Sequence, residues 1–419
     1  MLRAAPVGMT GISSICECPG RLTGRHDMAV PRIGFLLSHP IQYYAPIFRA
    51  LAKRCDLQVF FAYRQPAAGQ ADAGFGVAFD WDIDLLGGYE SKFLQNVARH
   101  PSTDRFNGCD TPAIGREIAE GRFDALVVPG WALRSYWQGI LAGRKAGVTV
   151  LVRGDSQLGG HQKPWVRLAK RLVFAQVLRR FDGFLYVGRR NREYLMHYGV
   201  PEKRLFFSPH CIDNDLFAAA SEAARRGGPA DERARQHVPR ILFVGKLMAR
   251  KRPVDVLRAA DMVGRRIGPV EVVFAGSGEL EPELRRVAAA TQVATTFLGF
   301  VNQSQLPAVY SAADVIVLPS NSSETWGLVV NEAMACGVPA AVSEAIGCAP
   351  DLVENGVTGA TFADGDLAGC ARALESVLAL DRAATRRHLA ERMATYSPAR
   401  AADGIVEAAL ALAGRARAE

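Results

Sequence analysis

No run of apolar residues in this chain of 419 approaches the length of about eighteen that a membrane-spanning helix needs, so no transmembrane segment is expected. The first 27 residues lack both periodicity and the apolar core of a secretory signal. They read as a disordered tail or as the product of an upstream start codon, with Met28 the natural alternative beginning. The eight cysteines show no pairing pattern; Cys16 and Cys18 alone lie close together, and nothing downstream completes a zinc set. A reduced, cytoplasmic setting fits that usage. A metal is not expected at Asp80-Trp81-Asp82 either, because this Asp-x-Asp lies in a polar, glycine-rich stretch with no strong strand before it.

What is present is positive charge and alternation. The net charge of +8 is compatible with nucleic acid, acidic lipid or a phosphorylated substrate, and much of it lies between Lys163 and Arg252. These cations are not interleaved with exposed-looking aromatics in the manner of a nucleic-acid surface, so no nucleic-acid partner is expected. The length suits two domains of ordinary size, and 49% hydrophobic with 22% charged residues describes a globular chain. Short apolar runs alternate with helical patterns, the mark of parallel α/β sheets. Strands are expected at 33–38, 57–63, 125–130, 148–154 and 183–188 in the first half. The second half offers 240–246, 270–276, 295–300, 314–320 and 339–343, with a last piece near 360–362. Between the halves, about Asp213 to Pro239 reads as helix plus linker.

The most informative string is SSETWGLVVNEAMACGVPAAVS, Ser322 to Ser343, with Glu324 and Glu332 eight residues apart. It reads as polar loop, helix over about 327–336, then a Gly337-Val338-Pro339 stop. Glu324 falls in the loop outside a strand's carboxyl end, where open α/β sheets bind ligands, and Glu332 falls within the helix. The unpaired N–H groups around Trp326, Gly327 and Leu328 form a ready anion site. An acid near a helix start is often only a cap. Two hydroxyl acceptors around a phosphate-binding helix end nonetheless suit a nucleotide sugar.

The string resembles the Glu-x7-Glu signature of retaining family 4 glycosyltransferases, and ENGVTGATF (354–362) resembles the stretch on the C-terminal side of that signature in the family. The similarity runs from about Arg32 to about Leu412, strong in the C-terminal half and looser before it. It implies a GT-B fold, two Rossmann-like, doubly wound domains facing each other across a cleft. The expected plan is an acceptor domain over 28–212, a linker over 213–238, a nucleotide-sugar domain over 239–383, and helices over 384–419 that cross back to the first domain.

The resemblance also assigns residues. Gly245-Lys246-Leu247 stands where relatives carry Gly-Arg-Leu, and Lys251 matches their second diphosphate-facing cation. Lys246 keeps the charge but not the bidentate fork of arginine. Gly276, in AGSGEL, lets backbone approach the nucleotide, and Phe300 and Val301 border the base, although Phe300 reads equally as core. In the first half, Ser38-His39-Pro40 replaces the relatives' glycine loop, and His39 is a candidate acid/base or phosphate contact. Arg153-Gly154-Asp155-Ser156 replaces a His-containing motif, so Asp155 or Arg153 is expected to take over on the acceptor side. FSPHCIDNDLF (207–217) resembles the segment that ends the first domain, with His210 and Cys211 in place of Asn and Gly; Asp213 and Phe217 are expected to pack the hinge.

The segment 163–180 mixes Trp165, Leu168, Leu172, Val173 and Phe174 with basic residues. Such a helix can lie on an anionic membrane at its inner face; more often it packs in a domain. Taken together, the expected activity is transfer of a sugar from a nucleotide sugar, UDP- or GDP-linked, to a glycan or lipid-linked acceptor, without a further cofactor or metal. Lys246, Lys251 and the helix end stabilise the departing diphosphate, Glu324 aligns the donor sugar, and Glu332 holds the ribose. The alternatives are an epimerase acting on the same donors and a binding protein that has lost transfer.

Overall fold

The computed structural model describes residues 30–64, 81–159, 170, 173–227, 238–291 and 293–413. The expected N-terminal tail, Cys16, Cys18, Asp80, most of 163–172 and the linker residues 228–237 lie outside the described residues. Pro31–Glu419 forms one compact unit built on two parallel sheets.

The first sheet contains β1 (Arg32–Leu37), β2 (Asp56–Phe61), β3 (Glu90–Phe93), β4 (Ala125–Val128), β5 (Thr149–Val152), β6 (Gly183–Tyr186) and β7 (Leu205–Phe207), in the order 3-2-1-4-5-6-7. The second contains β8 (Arg240–Val244), β9 (Glu271–Ala275), β10 (Ala294–Gly299), β11 (Val315–Leu318), β12 (Ala340–Ser343) and β13 (Gly359–Phe362), in the order 10-9-8-11-12-13. Both are doubly wound. The inner strands are continuous apolar runs because helices cover both faces: every residue of β4, β5, β11 and β12 is buried. In each sheet the strand order reverses once, between β1 and β4 and between β8 and β11. Loops at these switch points splay apart and leave a crevice at the carboxyl ends.

Two differences from the sequence expectation arise from position in the sheet. The edge strands β3 and β7 were not expected; β3 reads Glu-Ser-Lys-Phe with three of its four residues exposed, and β7 has three residues only. An edge strand needs no apolar run, and charge there discourages pairing with another chain. The expected strands also overran. Ser38, Arg153, Gly245, Lys246, Gly276 and Phe300 all fall just past the ends of β1, β5, β8, β9 and β10, in loops. Within 213–239 the helix is Asn214–Gly227, and Phe217 on it is buried.

After β13 the helices Leu367–Leu378 and Arg382–Thr395 stay with the second sheet, where Leu374, Leu389 and Met393 are buried. Ser397 caps the next helix by accepting from the Arg400 N–H. That helix, Pro398–Leu412, lies on the first sheet: Ala402, Ile405, Ala409 and Leu412 join the cluster of Phe35, Phe48 and Val127. Its small residues let the backbone come close. A Cβ on Gly404 would meet the Phe207 carbonyl oxygen at 1.9 Å. Gly404→Ala should therefore lower unfolding free energy by about 1–3 kcal/mol in urea titrations. An unchanged midpoint would mean that the helix does not seat on β7 this closely.

Candidate active site

The two switch points face a shared cavity of about 540 Å³, lined from the first half by Gln42, Tyr43, Asp155 and His210 and from the second by Lys251, Glu324 and Glu332, among others. On the second sheet, the turns after β8 and β9 are pressed together. Gly276 has φ +146°, and a Cβ there would stand 2.0 Å from the Gly245 oxygen; Gly245 has φ +138°. Side chains are thus excluded from this floor, and backbone lines the cavity at both glycines.

Lys251 ends a short turn, Ala249–Lys251, and folds back over Gly245. Its Nζ lies 2.7 Å from Glu324 Oε2, and the Arg250 guanidinium donates to the same oxygen at 3.2 Å. Burial, then the neighbouring Arg250 and Lys251, pulls the Lys246 ammonium below its usual range. Lys246 is not among the residues lining the cavity, whereas Lys251 is. The expected cations were Lys246 and Lys251; around Glu324 the structure places Lys251 with Arg250, and Lys246 lies outside the cavity lining.

The helix Leu328–Ala335 starts at Gly327, whose φ of +97° brings the chain round from Trp326 into the first turn. Trp326, Gly327 and Leu328 line the cavity. Trp326 Nε1 donates to Asn331 Oδ1 at 2.8 Å, and the Asn331 amide reaches back to the His210 carbonyl at 3.3 Å. Glu332 lies one turn in, buried, accepting from Tyr310 Oη at 2.7 Å and from Gln303 Nε2 at 3.4 Å. Burial pushes its carboxyl up to about 7, and the two hydrogen bonds offset only part of that cost. Phe300, Val301 and Gln303 complete this end.

The first half differs more from expectation. His39 does not line the cavity: its Nδ1 is paired with Ser38 Oγ at 2.9 Å, and burial draws it down to about 4 against a smaller pull from Asp104. Gln42 and Tyr43 line the cavity in its place. Arg153 is also removed, 1% exposed beneath the wall, donating to Ser208 Oγ and the Pro209 carbonyl. Asp155 does face the cavity. Thr325 Oγ1 donates to it at 2.7 Å, and His210 Nε2 lies 3.8 Å away. Burial raises the Asp155 carboxyl, but the nearby His210 ring together with hydrogen bonds from Thr325 and its own backbone outweighs that and brings it to about 2. His210 is held below its usual range by burial, wedged between the rings of Tyr43 and Trp326 at 5.5 Å each. Sequence reasoning passed over His210 as a hinge substitution; an ionisable ring replacing an amide at a strand exit was the signal. Asp213, read as hinge packing, also lines the cavity and faces Arg49 at 3.7 Å.

Among the described residues no group of three or more His, Cys, Asp or Glu is placed to hold a metal. Asp82, the described acid of the Asp-x-Asp, accepts from Ser304 N at 3.1 Å and from the Ser304 hydroxyl. Of the basic amphipathic segment, the described residues 173–178 are helical; Phe174 packs on Trp131 and Tyr198, and Val173 is exposed. No helix among the described residues is long and apolar enough to cross a membrane.

Residues 229–398 match the family model described as glycosyl transferases group 1. The D-inositol 3-phosphate glycosyltransferase of Mycolicibacterium smegmatis is 36% identical over 205 residues, covering 46% of this chain and 44% of that protein. That of Geodermatophilus obscurus is 35% identical over 238 residues, covering 53% and 50%. The chain thus spans about half the length of the curated relatives it matches. Among solved structures, Anabaena Alr3699/HepE in complex with UDP and glucose aligns with a TM-score of 0.60 at 16% identity, covering 90% of this chain and 98% of that one. The lipopolysaccharide outer core galactosyltransferase WaaB, apo form, aligns with a TM-score of 0.62 at 13% identity, covering 90% and 99%. The fold is GT-B, shared with these glycosyltransferases.

The raised Glu332 carboxyl makes a stability prediction. An acid whose folded pKa of about 7 lies above its unfolded value of 4.5 contributes nothing below pH 4.5. Its destabilisation grows as pH rises through that window and is complete above 7. Glu332→Gln keeps an acceptor for Tyr310 and removes the charge. It should match the wild type at pH 4 and gain up to about 3 kcal/mol at pH 8 by urea unfolding. A difference independent of pH would show that Glu332 titrates normally.

Proposed function

We propose that the cleft transfers a glycosyl group from a nucleotide sugar to an acceptor, a reading supported by the match of residues 229–398 to the glycosyl transferases group 1 model. The carrying observation is the convergence of bare backbone at Gly245 and Gly276, Lys251, Glu324, a helix N-terminus and Glu332 on one cavity, with Arg250 paired to Glu324 from outside its lining. The donor belongs to the 239–383 half and the acceptor to the 28–212 half. UDP is the expected nucleotide, in keeping with the UDP complex of the Anabaena relative; a glycan or lipid-linked acceptor fits the open cleft.

As the nucleoside diphosphate departs, charge grows on the bridging oxygen. Lys251 and the N–H groups of the first turn after Gly327, both on the cavity lining, stabilise that charge. Glu324 then accepts from hydroxyls of the donor sugar, held in place by Lys251 and Arg250. Glu332 accepts from the ribose. Asp155, ionised and oriented by Thr325 and His210, receives a hydroxyl of the acceptor. The departing phosphate takes the acceptor proton, and the anomeric configuration is retained.

Calorimetry should show saturable binding of at least one nucleoside diphosphate to the full chain; no binding to UDP, GDP or ADP would sink the reading. With the donor known, Glu324→Gln should cut kcat by about 10²-fold, the scale of a lost transition-state contact. Glu332→Gln should chiefly raise the donor KM, because a ribose contact is similar in ground and transition states. The reverse pattern in correctly folded variants would exchange the two roles.

A further inference from the structure

Resting on the donor reading just given, we infer that the segment Trp81–Asp84, although it belongs to the first half of the chain, walls the nucleoside pocket and helps set which base is accepted. The segment leads into β3, so its natural assignment would be to the acceptor. Its contacts point the other way. Trp81, Ile83 and Asp84 line the same cavity as Phe300, Val301, Gln303 and Glu332. Between them, Asp82 crosses to the second half of the chain, where its carboxylate accepts from the Ser304 backbone N–H and the Ser304 hydroxyl. Ser304 comes directly after Gln303, whose amide lies 3.4 Å from Glu332. The anchor is therefore at the ribose end.

The acceptor corner is elsewhere. Asp155 and His210 sit by Thr325, next in sequence to Glu324, where the reacting carbon must lie.

The segment is also held firmly from behind. The Asp84 carboxylate accepts from the N–H groups of Leu86 at 3.0 Å and Gly87 at 2.9 Å, closing a tight turn. Arg49, itself on the cavity wall, donates to the Gly87 carbonyl at 3.2 Å and to the Asp84 carbonyl. A nucleobase is a flat apolar plate with polar edges, and pockets for it supply apolar faces with a few placed polar groups. Phe300 and Val301 offer one side; Trp81 and Ile83 add an indole and a branched aliphatic side chain, neither of them specific for phosphate or sugar.

The test is titration of UDP, GDP, ADP and inorganic pyrophosphate into the full chain, its Trp81→Ala variant and its Asp82→Ala variant. Trp81→Ala should weaken the preferred nucleoside diphosphate by about fivefold or more, the effect of losing one aromatic–base contact, and should narrow the spread among the three bases. Asp82→Ala leaves the ring intact and should shift the same affinities in the same direction by releasing the anchor. Pyrophosphate, which has no base, should bind all three proteins alike; a general loss of structure would weaken it too. Unchanged nucleoside diphosphate affinities in both variants, with the wild type binding normally, would overturn the inference and leave the donor reading standing. Failure of the wild type to bind any of the three nucleotides would instead remove the donor reading, and this inference with it.

Discussion

The ion pair between Lys251 and Glu324 governs how the rest of the cleft is arranged. Their side chains are only 9% and 14% exposed, and they meet 2.7 Å apart where the second sheet reverses its strand order. Two charges taken out of water need each other, and removing one partner from such a pair typically costs about 3–5 kcal/mol. The loops after β8 and β11 are therefore locked in register by chemistry as well as by the sheet. Arg250 adds a second cation to the same oxygen, so the carboxylate is met by two positive charges.

From that node the two halves are tied by backbone carbonyls and buried rings more than by charge. Gln157 Nε2 lies within hydrogen-bond distance of the Ser322, Glu324 and Ala345 carbonyls. Arg190 donates to the carbonyls of Ala345 and Glu344, and the Arg189 N–H to the Asp351 carboxylate at 3.0 Å. Trp326 covers Gly188 so closely that a Cβ there would stand 2.3 Å from the indole. The loop carrying Glu324 is thus gripped from the opposite half. Relative placement of the two halves and the position of the Glu324 loop are therefore coupled.

Legibility of the site divided along the same line. The layout around Glu324 and Glu332 could be read because these residues lie in one continuous string with a clear strand–loop–helix pattern ending at Gly337-Val338-Pro339. Lys251 was legible from its position after β8. Strand ends were placed one or more residues late, because the runs continue past the last ladder residue into loops, at Gly245, Gly276 and Phe300 into the cavity lining. On the other side, His39 has the right chemistry and the right place after β1, but its ring turns to Ser38 Oγ and away from the cavity. Arg153 and Asp155 are two residues apart and have opposite fates, one beneath the wall and one on its surface. Side-chain direction at a strand exit depends on what packs behind it, and no local pattern carries that information.

By itself, then, the sequence determined two parallel α/β sheets, the loop after β11 as the place of Glu324, and the eight-residue separation that puts Glu324 before a helix and Glu332 within it. These are consequences of local periodicity, helix capping and stop signals acting over a few residues. Only the tertiary structure decided that Thr325 meets Asp155 and His210, that Gln157 grips the Glu324 loop, and that Asp82 reaches Ser304 across more than two hundred residues of chain. Those meetings depend on how two separately wound sheets close on each other. That closure is set by long-range packing, with the helix Pro398–Leu412 returning to the first sheet and Trp326 seated on Gly188, and it leaves no period in the sequence.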